Sequence, residues 1–328
     1  MQLRKSGARK VEQKADTEPR QRAVLGQAVK GSLLDYGLRL IGDYWSLNIL
    51  REAFLGVSQF EQFRERLRIP RQTLSERLRH LVALGLFRVR QYQTNPVRYE
   101  YRLTEKGLAL YPNVLATWMW SRKWDVSGER LPRRLIHRTC GHRFIPECVC
   151  AHCRLAVGLR DVEAVLTGKS ATVPAPARSR RWPGQRAQGV GSPDRPRQLA
   201  FGASVDRWSL LIVAAIYLGC HRFDEIQHSL SLGTSVLAGR LSALCESGLL
   251  LRQPDLSDGR RFVYRLGPPG RDLFQHIVTL SAWVRTYHKD TPNRLSLRHK
   301  SCGRAFNPVM VCSQCRKDLD AREVTFEA

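Results

Sequence analysis

The 328-residue chain carries 54 Lys and Arg against 29 Asp and Glu, a formal net charge of +25 at pH 7. Its 43% hydrophobic residues can bury real cores, which excludes a wholly disordered basic chain, and its length suits about two domains of roughly 150 residues. The longest apolar run, Leu210 to Leu218, is nine residues, too short for a membrane span, and Met1 to Lys30 has eight basic residues and no apolar core, unlike a secretory signal.

A charge excess of this size is solvated or neutralised, and nucleic-acid phosphate is its commonest partner, ahead of anionic lipid. The chain also repeats itself, which divides it before any element is assigned. Trp45, Phe60, Leu67, Leu74, Arg77, Leu78, Leu81, Gly85, Tyr101, Gly107 and Trp120 match Trp208, Phe223, Leu230, Leu237, Arg240, Leu241, Leu244, Gly248, Tyr264, Gly270 and Trp283, all 163 residues apart. His137, Cys140, Cys150 and Cys153 then match His299, Cys302, Cys312 and Cys315 at an offset of 162, one residue having been lost between Trp283 and His299. The chain is a tandem duplication. The organisation expected is a basic arm over 1–29, a first globular unit over 30–126 and a Cys-rich module over 127–167. A Pro/Arg-rich linker over 168–199, a second unit over 200–289 and a second Cys-rich module over 290–328 follow.

In chain order, Gly31 to Ile41 has helical apolar spacing, and Asp43 is a natural N-cap for a second helix, WSLNILREAFLG, ended by Gly56. Ser58 is placed to cap a short third helix, FEQFRERL. A tight turn at Arg68 to Pro70 leads to a fourth, RQTLSERLRHLVALG, with Leu74, Leu78, Leu81 and Leu84 inward and Gly85 closing it. Leu86 to Tyr92 and Val97 to Leu103 alternate apolar with basic residues as a two-stranded ribbon, and Thr104 caps a closing helix to Trp120. Three helices, a recognition-type helix, a ribbon and a closing helix give the winged helix-turn-helix order. The fold class expected is mainly α with small β (α+β): two winged helix-turn-helix domains, each followed by a zinc-ribbon-like hairpin.

Such a helix fits the major groove of B-DNA, and the ribbon reaches phosphates or the neighbouring minor groove. On the fourth helix Arg71, Gln72, Thr73 and Ser75 are the expected base readers, with Arg77 and Arg79 touching bases or phosphates; on the ribbon Arg88, Arg90, Tyr92 and Arg98 are the expected backbone contacts. The second repeat offers only Thr234, Ser235 and Arg240 on its helix and Arg260 and Arg261 on its ribbon. From Arg64 to Arg102 there are ten basic and three acidic residues, whereas Gln227 to Arg265 has five basic and three acidic. The first repeat is therefore expected to carry most of the DNA contact. Asp255 and Asp258 in the second wing are expected to repel phosphate.

The runs WSLNILREAFLG, TLSERLRHLVALGL and NPVRYEYRLTEKG, with the terminal Trp, resemble the HxlR-type winged-helix transcriptional regulators over about 90 residues per repeat. VDRWSLLIVAAIYLG and GRRFVYRL resemble them more loosely, and Gly267-Pro268-Pro269-Gly270 replaces Thr104-Glu105-Lys106-Gly107. The resemblance implies a bacterial DNA-binding regulator whose copies pair through their first and last helices; here the partner is the chain's own second half or a second chain.

The cysteine-rich modules repeat His-x2-Cys-x9-Cys-x2-Cys: His137, Cys140, Cys150, Cys153 and His299, Cys302, Cys312, Cys315. Two short knuckles on a hairpin supply four ligands to tetrahedral zinc, so two structural zinc ions per chain are expected. Disulfides would need an oxidising compartment that nothing else supports, and the cytoplasm is the expected location. Cys148 is left as a free thiol and a candidate redox handle; Cys220 and Cys245 fall at apolar helix positions as core residues.

No Gly-x-Gly-x-x-Gly, P-loop or Gly-x-Ser-x-Gly occurs, and nothing argues for an enzyme. The leading reading is a sequence-specific regulator binding double-stranded DNA. The alternatives are a sequence-independent nucleic-acid-binding module, or a sensor with a small-molecule effector cavity near Trp118, Trp120 and Trp283 or a reactive Cys148.

Overall fold

The structure, a computed structural model, describes residues 24–124, 132, 134–167 and 206–327; most of the expected arm and all of the linker lie outside these residues. The first repeat runs α1 (Leu33–Ile41), α2 (Tyr44–Phe54), α3 (Phe60–Leu67), α4 (Arg71–Ala83), β1 (Phe87–Thr94), β2 (Val97–Leu103), α5 (Glu105–Leu108), α6 (Tyr111–Trp124), β3 (Arg134–His137), β4 (His142–Phe144), β5 (Pro146–Cys150) and β6 (Val162–Leu166). The second runs α7 (Arg207–Tyr217), α8 (Phe223–Leu230), α9 (Thr234–Glu246), β7 (Leu250–Asp255), β8 (Asp258–Leu266), α10 (Pro268–Asp272), α11 (Phe274–Tyr287), β9 (Leu295–His299), β10 (Pro308–Cys312) and β11 (Val324–Glu327). Among the described residues no helix is long and apolar enough to cross a membrane.

The helix starts follow from side chains competing for otherwise unpaired N–H groups. Asp43 accepts from Ser46 N at 3.1 Å and its counterpart Asp206 from Ser209 N at 2.9 Å. Thr104 caps as expected, accepting from Gly107 N at 3.1 Å. The third helix differs: its N-cap is Gln59, and Ser58 instead donates to Glu100 Oε2 at 3.4 Å on the wing. The closing helix is two helices, α5 and α6. The second repeat breaks at the same place without a proline, so the break follows from packing. A Cβ on Gly107 would lie 2.3 Å from Leu86 O, and on Gly270 2.2 Å from Leu249 O; at both positions the helix meets the ribbon's first carbonyl at a distance only glycine allows.

The two repeats share one core. Leu74, Leu78 and Leu81 of α4 and Leu237, Leu241 and Leu244 of α9 belong to a single buried cluster with Trp120 and Trp283. Each such leucine contributes about 1.5–3 kcal/mol by burial. The bonds across the repeats come in reciprocal pairs. Trp120 Nε1 donates to Pro269 O at 2.8 Å, and Trp283 Nε1 to Lys106 O, its repeat-equivalent, at 3.0 Å. A buried ionic cluster adds a contact without a described counterpart: Asp35, fully buried on α1, accepts from Arg39 at 3.0 Å and from Arg207 Nε on α7 at 2.8 Å. Burial pushes the Asp35 carboxyl up, but the bonds from Arg39, Arg207 and Gly31 outweigh it and hold its pKa below the ordinary value.

Beyond α6 and α11 the strands cross between repeats. β3 pairs with β4 as a local hairpin, but its other edge pairs with β11 of the second repeat, and β6 pairs with β9. β5 pairs antiparallel with β10, placing Cys148 opposite Met310. Since Cys148 and Met310 are repeat equivalents, that pair marks the approximate two-fold axis. Asn113 and His276, also equivalent, meet on it: Asn113 Nδ2 donates to His276 O at 2.9 Å, and Thr117 Oγ1 lies 2.9 Å from His276 Nδ1.

Burial pushes the His276 imidazole down to about 3, so it is neutral in the folded protein while the unfolded chain titrates near 6.5. Below that pH the unfolded state binds a proton that the folded state refuses. The wild type should lose about 1.4 kcal/mol per pH unit from this group between roughly pH 6.5 and 3. Urea unfolding of wild type and His276→Asn across that window should show a shallower acid loss in the variant; parallel curves would refute the assignment.

Candidate nucleic-acid interface and metal centres

The helix expected to read bases is α4, held by its three buried leucines so that its polar side faces outward. Arg71 and Gln72 are exposed and Thr73 and Ser75 half-buried. Arg71 is 75% exposed, ion-paired at 3.0 Å with the exposed Glu61, and lies over the Phe60 ring; such a surface pair is worth about 0–1 kcal/mol and exchanges readily for a phosphate or a base edge. Gln72 donates to Glu76 at 3.2 Å. Arg79 is exposed, with no carboxylate partner among the described residues.

Arg77 is placed differently from the expectation. It lies 3.3 Å from Asp43, the N-cap of α2, and both side chains are largely covered. Arg240 and Asp206 form the same pair in the second repeat. Arg77 and Arg240 are thus struts that fix the recognition helix against the helix before it.

In the first wing Arg88, Arg90, Tyr92 and Arg98 are all exposed. Arg88 pairs in register with Arg102 and Arg90 with Glu100, so these four share a face of the ribbon. Glu100 is buried, 2.8 Å from Arg102 and 3.9 Å from Arg90; Arg88 and Arg98 have no carboxylate partner among the described residues. Tyr101 N donates to Ser58 O at 2.7 Å, and Tyr264 N to His221 O likewise, tying each wing to its domain.

The second reading head is built on the same frame with other side chains. Thr234 and Ser235 are exposed at the start of α9, beside an exposed Val236. Arg260 is exposed, while Arg261 lies 3.1 Å from Asp258. Asp255 corrects the expected repulsion: it is buried and turned back toward the domain. Hydrogen bonds from Ser257 and Arg222 hold its carboxyl down to about 2. Its charge is paired with Arg222, which it holds away from any other anion.

The eight expected metal ligands form two clusters, and the sequence order does not give their membership. One is His137, Cys140, Cys312 and Cys315; the other is Cys150, Cys153, His299 and Cys302. Each takes a His-x2-Cys knuckle from one repeat and a Cys-x2-Cys knuckle from the other. This corrects the expectation of one complete site per repeat; the reason is that β5 leaves its own hairpin to pair with β10 and carries Cys150 across the axis. Sulfur to sulfur distances are 3.9 Å for Cys140–Cys312 and 4.0 Å for Cys150–Cys302. That is twice a disulfide bond of about 2.05 Å but close to the edge of a tetrahedron with metal–sulfur bonds of about 2.3 Å. Nδ1 of His137 lies 3.3 Å from Cys315 Sγ and that of His299 3.3 Å from Cys302 Sγ. The backbone N–H of Lys317 bonds Cys315 and, against burial, brings its thiol down to about 7, favouring the thiolate a metal needs. Either cluster can hold one metal ion.

Cys148 is outside both clusters. It is buried against the axis, and burial pushes its thiol up to about 12, which favours the protonated form. Cys220 is buried and donates or accepts at 3.3 Å with Ser229 Oγ, and Cys245 is half-buried against the core, as expected of both. Trp120 and Trp283 are packing residues in the shared core, whereas Trp118 lines a cavity.

The strut is testable. Arg77→Ala should lower folding stability by about 1–2 kcal/mol, leaving Asp43 half-buried and unpaired, while Arg79→Ala changes it by less than about 0.5 kcal/mol. Equal midpoints in urea for both variants would overturn this.

A model of the HxlR-like helix-turn-helix family matches residues 40–128 and 205–309, one region in each repeat. An uncharacterized HTH-type transcriptional regulator of Mycobacterium tuberculosis (strain CDC 1551 / Oshkosh) is 42% identical over 138 residues, 42% of this chain and 87% of the relative. The Bacillus subtilis (strain 168) uncharacterized HTH-type transcriptional regulator YdzF is 32% identical over 95 residues, 28% of this chain and 85% of its own length. A solved structure of a candidate transcription factor from Pseudomonas aeruginosa is 28% identical and covers 42% of this chain and 94% of its own, with a TM-score of 0.30. The two matched regions together exceed half of the sequence, and the chain belongs to the HxlR-like helix-turn-helix family, whose members are DNA-binding transcriptional regulators and not enzymes.

Proposed function

We propose that the chain is a sequence-specific regulator of double-stranded DNA that works as an intrachain pseudo-dimer, with the first repeat as its principal reader. The observation that carries this is the contrast between the two heads on one frame. In the first, Arg71 and Gln72 stand exposed at the start of α4, and Arg79, Arg88 and Arg98 are free of carboxylates among the described residues. In the second, Thr234, Ser235 and Val236 occupy the matching positions, Ser242 and Leu251 replace Arg79 and Arg88, and Arg261, the equivalent of Arg98, is ion-paired. Arg71, Gln72, Thr73 and Ser75 are the base readers. Arg79, Arg88, Arg90, Tyr92 and Arg98 hold the phosphate backbone, and Thr234, Ser235 and Arg260 read weakly. The +5 on residues 1–30 and +6 on 168–200 add attraction without sequence preference.

Selection from a random DNA pool, followed by competition against random duplex, should yield a preferred site. There Arg71→Ala and Gln72→Ala should each cost about 1–3 kcal/mol, and Thr234→Ala with Ser235→Ala under about 1 kcal/mol. Arg88→Ala and Arg98→Ala should instead weaken all sequences alike and reduce the salt slope by about one each. Equal affinity of the wild type for every sequence would overturn specific reading in favour of general nucleic-acid binding.

Each His/Cys cluster holds one structural zinc in this reading, because four nitrogen and sulfur donors at tetrahedral spacing leave no position open for substrate or water. Metal analysis of protein purified under reducing conditions should give two equivalents of zinc per chain. Cys312→Ser with Cys315→Ser should leave about one, since both belong to one cluster. Cys302→Ser with Cys312→Ser should drop below one, because it strips a thiolate from each. About one equivalent left in Cys302→Ser with Cys312→Ser would instead restore one site per repeat.

A further inference from the structure

A cavity of about 140 Å³ lies where the two repeats meet, walled by α7, α11 and β9 of the second and by α1 and β6 of the first. Its counterpart in the first repeat is about 90 Å³. Trp118 lines the smaller cavity where the larger has Ser281, and Arg51 and Phe326 line it where the larger has Ala214 and Ala164. For scale, an apolar cavity of about 150 Å³ accommodates a benzene ring.

The wall is aromatic on one side. Tyr217 and Phe274 meet edge to face at 6.2 Å between centroids, and Phe274 and Phe306 stack at 6.4 Å and 13°. Leu33 and Ile277 line it as well. Arg285 is the charged residue of the lining. Its guanidinium donates to Asn307 Oδ1 at 2.6 Å and has no carboxylate partner among the described residues. Arg285 lines the cavity while remaining exposed to solvent, so its guanidinium is open to an incoming anion. The equivalent Arg122 in the first repeat instead lies over the Trp118 ring at 5.6 Å. Where the indole is missing, the cavity and the uncompensated cation appear together.

We propose that this cavity binds a small one-ring aromatic monocarboxylate, the ring among Tyr217, Phe274 and Phe306 and the carboxylate on Arg285. The apolar wall recognises the ring by burial and ring–ring contact, and the planar guanidinium pairs with a carboxylate through two parallel N–H donors. The ligand would touch α1 and α7, which Asp35 and Arg207 join, and α7 begins at Asp206, the residue that holds Arg240 of α9. Occupancy is therefore connected to the reading head of the second repeat. The binding claim itself rests on no assumption about DNA.

Calorimetric titration of the full chain with sodium benzoate and with benzyl alcohol tests this directly. Benzoate should bind saturably at a single site per chain, at least about tenfold more tightly than the alcohol. Arg285→Gln should abolish that preference, and Ser281→Trp, which introduces the residue the first repeat already carries, should weaken benzoate at least about twentyfold. Circular dichroism melting checks that Ser281→Trp folds; if it does not, the loss of preference in Arg285→Gln decides alone. No saturable binding at benzoate concentrations on the order of 10 mM, or unchanged affinity in Arg285→Gln, would overturn the proposal.

Discussion

Everything beyond the winged helices depends on one constraint: neither repeat can complete a four-ligand cluster by itself. His137 and Cys140 stand within reach of Cys312 and Cys315, and Cys150 and Cys153 within reach of His299 and Cys302. The strand pairs β3–β11, β6–β9 and β5–β10 follow the same rule, each taking one member from either side of the axis. Bringing four thiol and imidazole groups together is favourable chiefly when a cation shares them. The crossing strands also bury Phe144, Val157, Phe306 and Leu319 in a second cluster under the knuckles. The two halves are locked by backbone pairing, apolar burial and donor geometry at one place.

On that symmetric frame the surfaces have diverged. The elements that set a recognition helix in place are the same in both halves: an aspartate N-cap paired with an arginine nearly two turns into the recognition helix, and a glycine under the ribbon's first carbonyl. What differs is outside the core. Ser281, Ala214 and Ala164 line one cavity where Trp118, Arg51 and Phe326 line the other, and Val236 and Leu251 stand where Thr73 and Arg88 are in the first repeat. Burial punishes change in the frame by several kcal/mol, whereas exposed positions change at little cost. Selection could therefore separate the two faces without disturbing the fold.

Much of this was legible in the sequence because it is local. Asp43 and Thr104 announce their helices by type and position, the leucines of α4 by period, and the eight ligands by spacing and repetition. Ligand pairing was not legible. His-x2-Cys and Cys-x2-Cys occur identically in both repeats, so pairing within a repeat and pairing across repeats have the same sequence, and only the β5–β10 register distinguishes them. The roles of Arg77 and Asp255 were hidden for a related reason. A charged side chain on a helix or turn looks available until the distant partner that holds it, Asp43 or Arg222, is placed beside it.

The reciprocal bonds of Trp120 and Trp283 have a further consequence because a peptide chain joins the two halves. In an assembly of separate subunits such an interface forms only above a threshold concentration, and every exchange of subunits returns two identical faces. Here the partner is always present at the effective molarity of a tether. The interface is as persistent in a cell holding a few copies as in one holding thousands. The ratio of the two unlike heads is fixed at one to one, and a change in one half is never copied into the other. Formation of the interface is thereby uncoupled from the protein's own abundance.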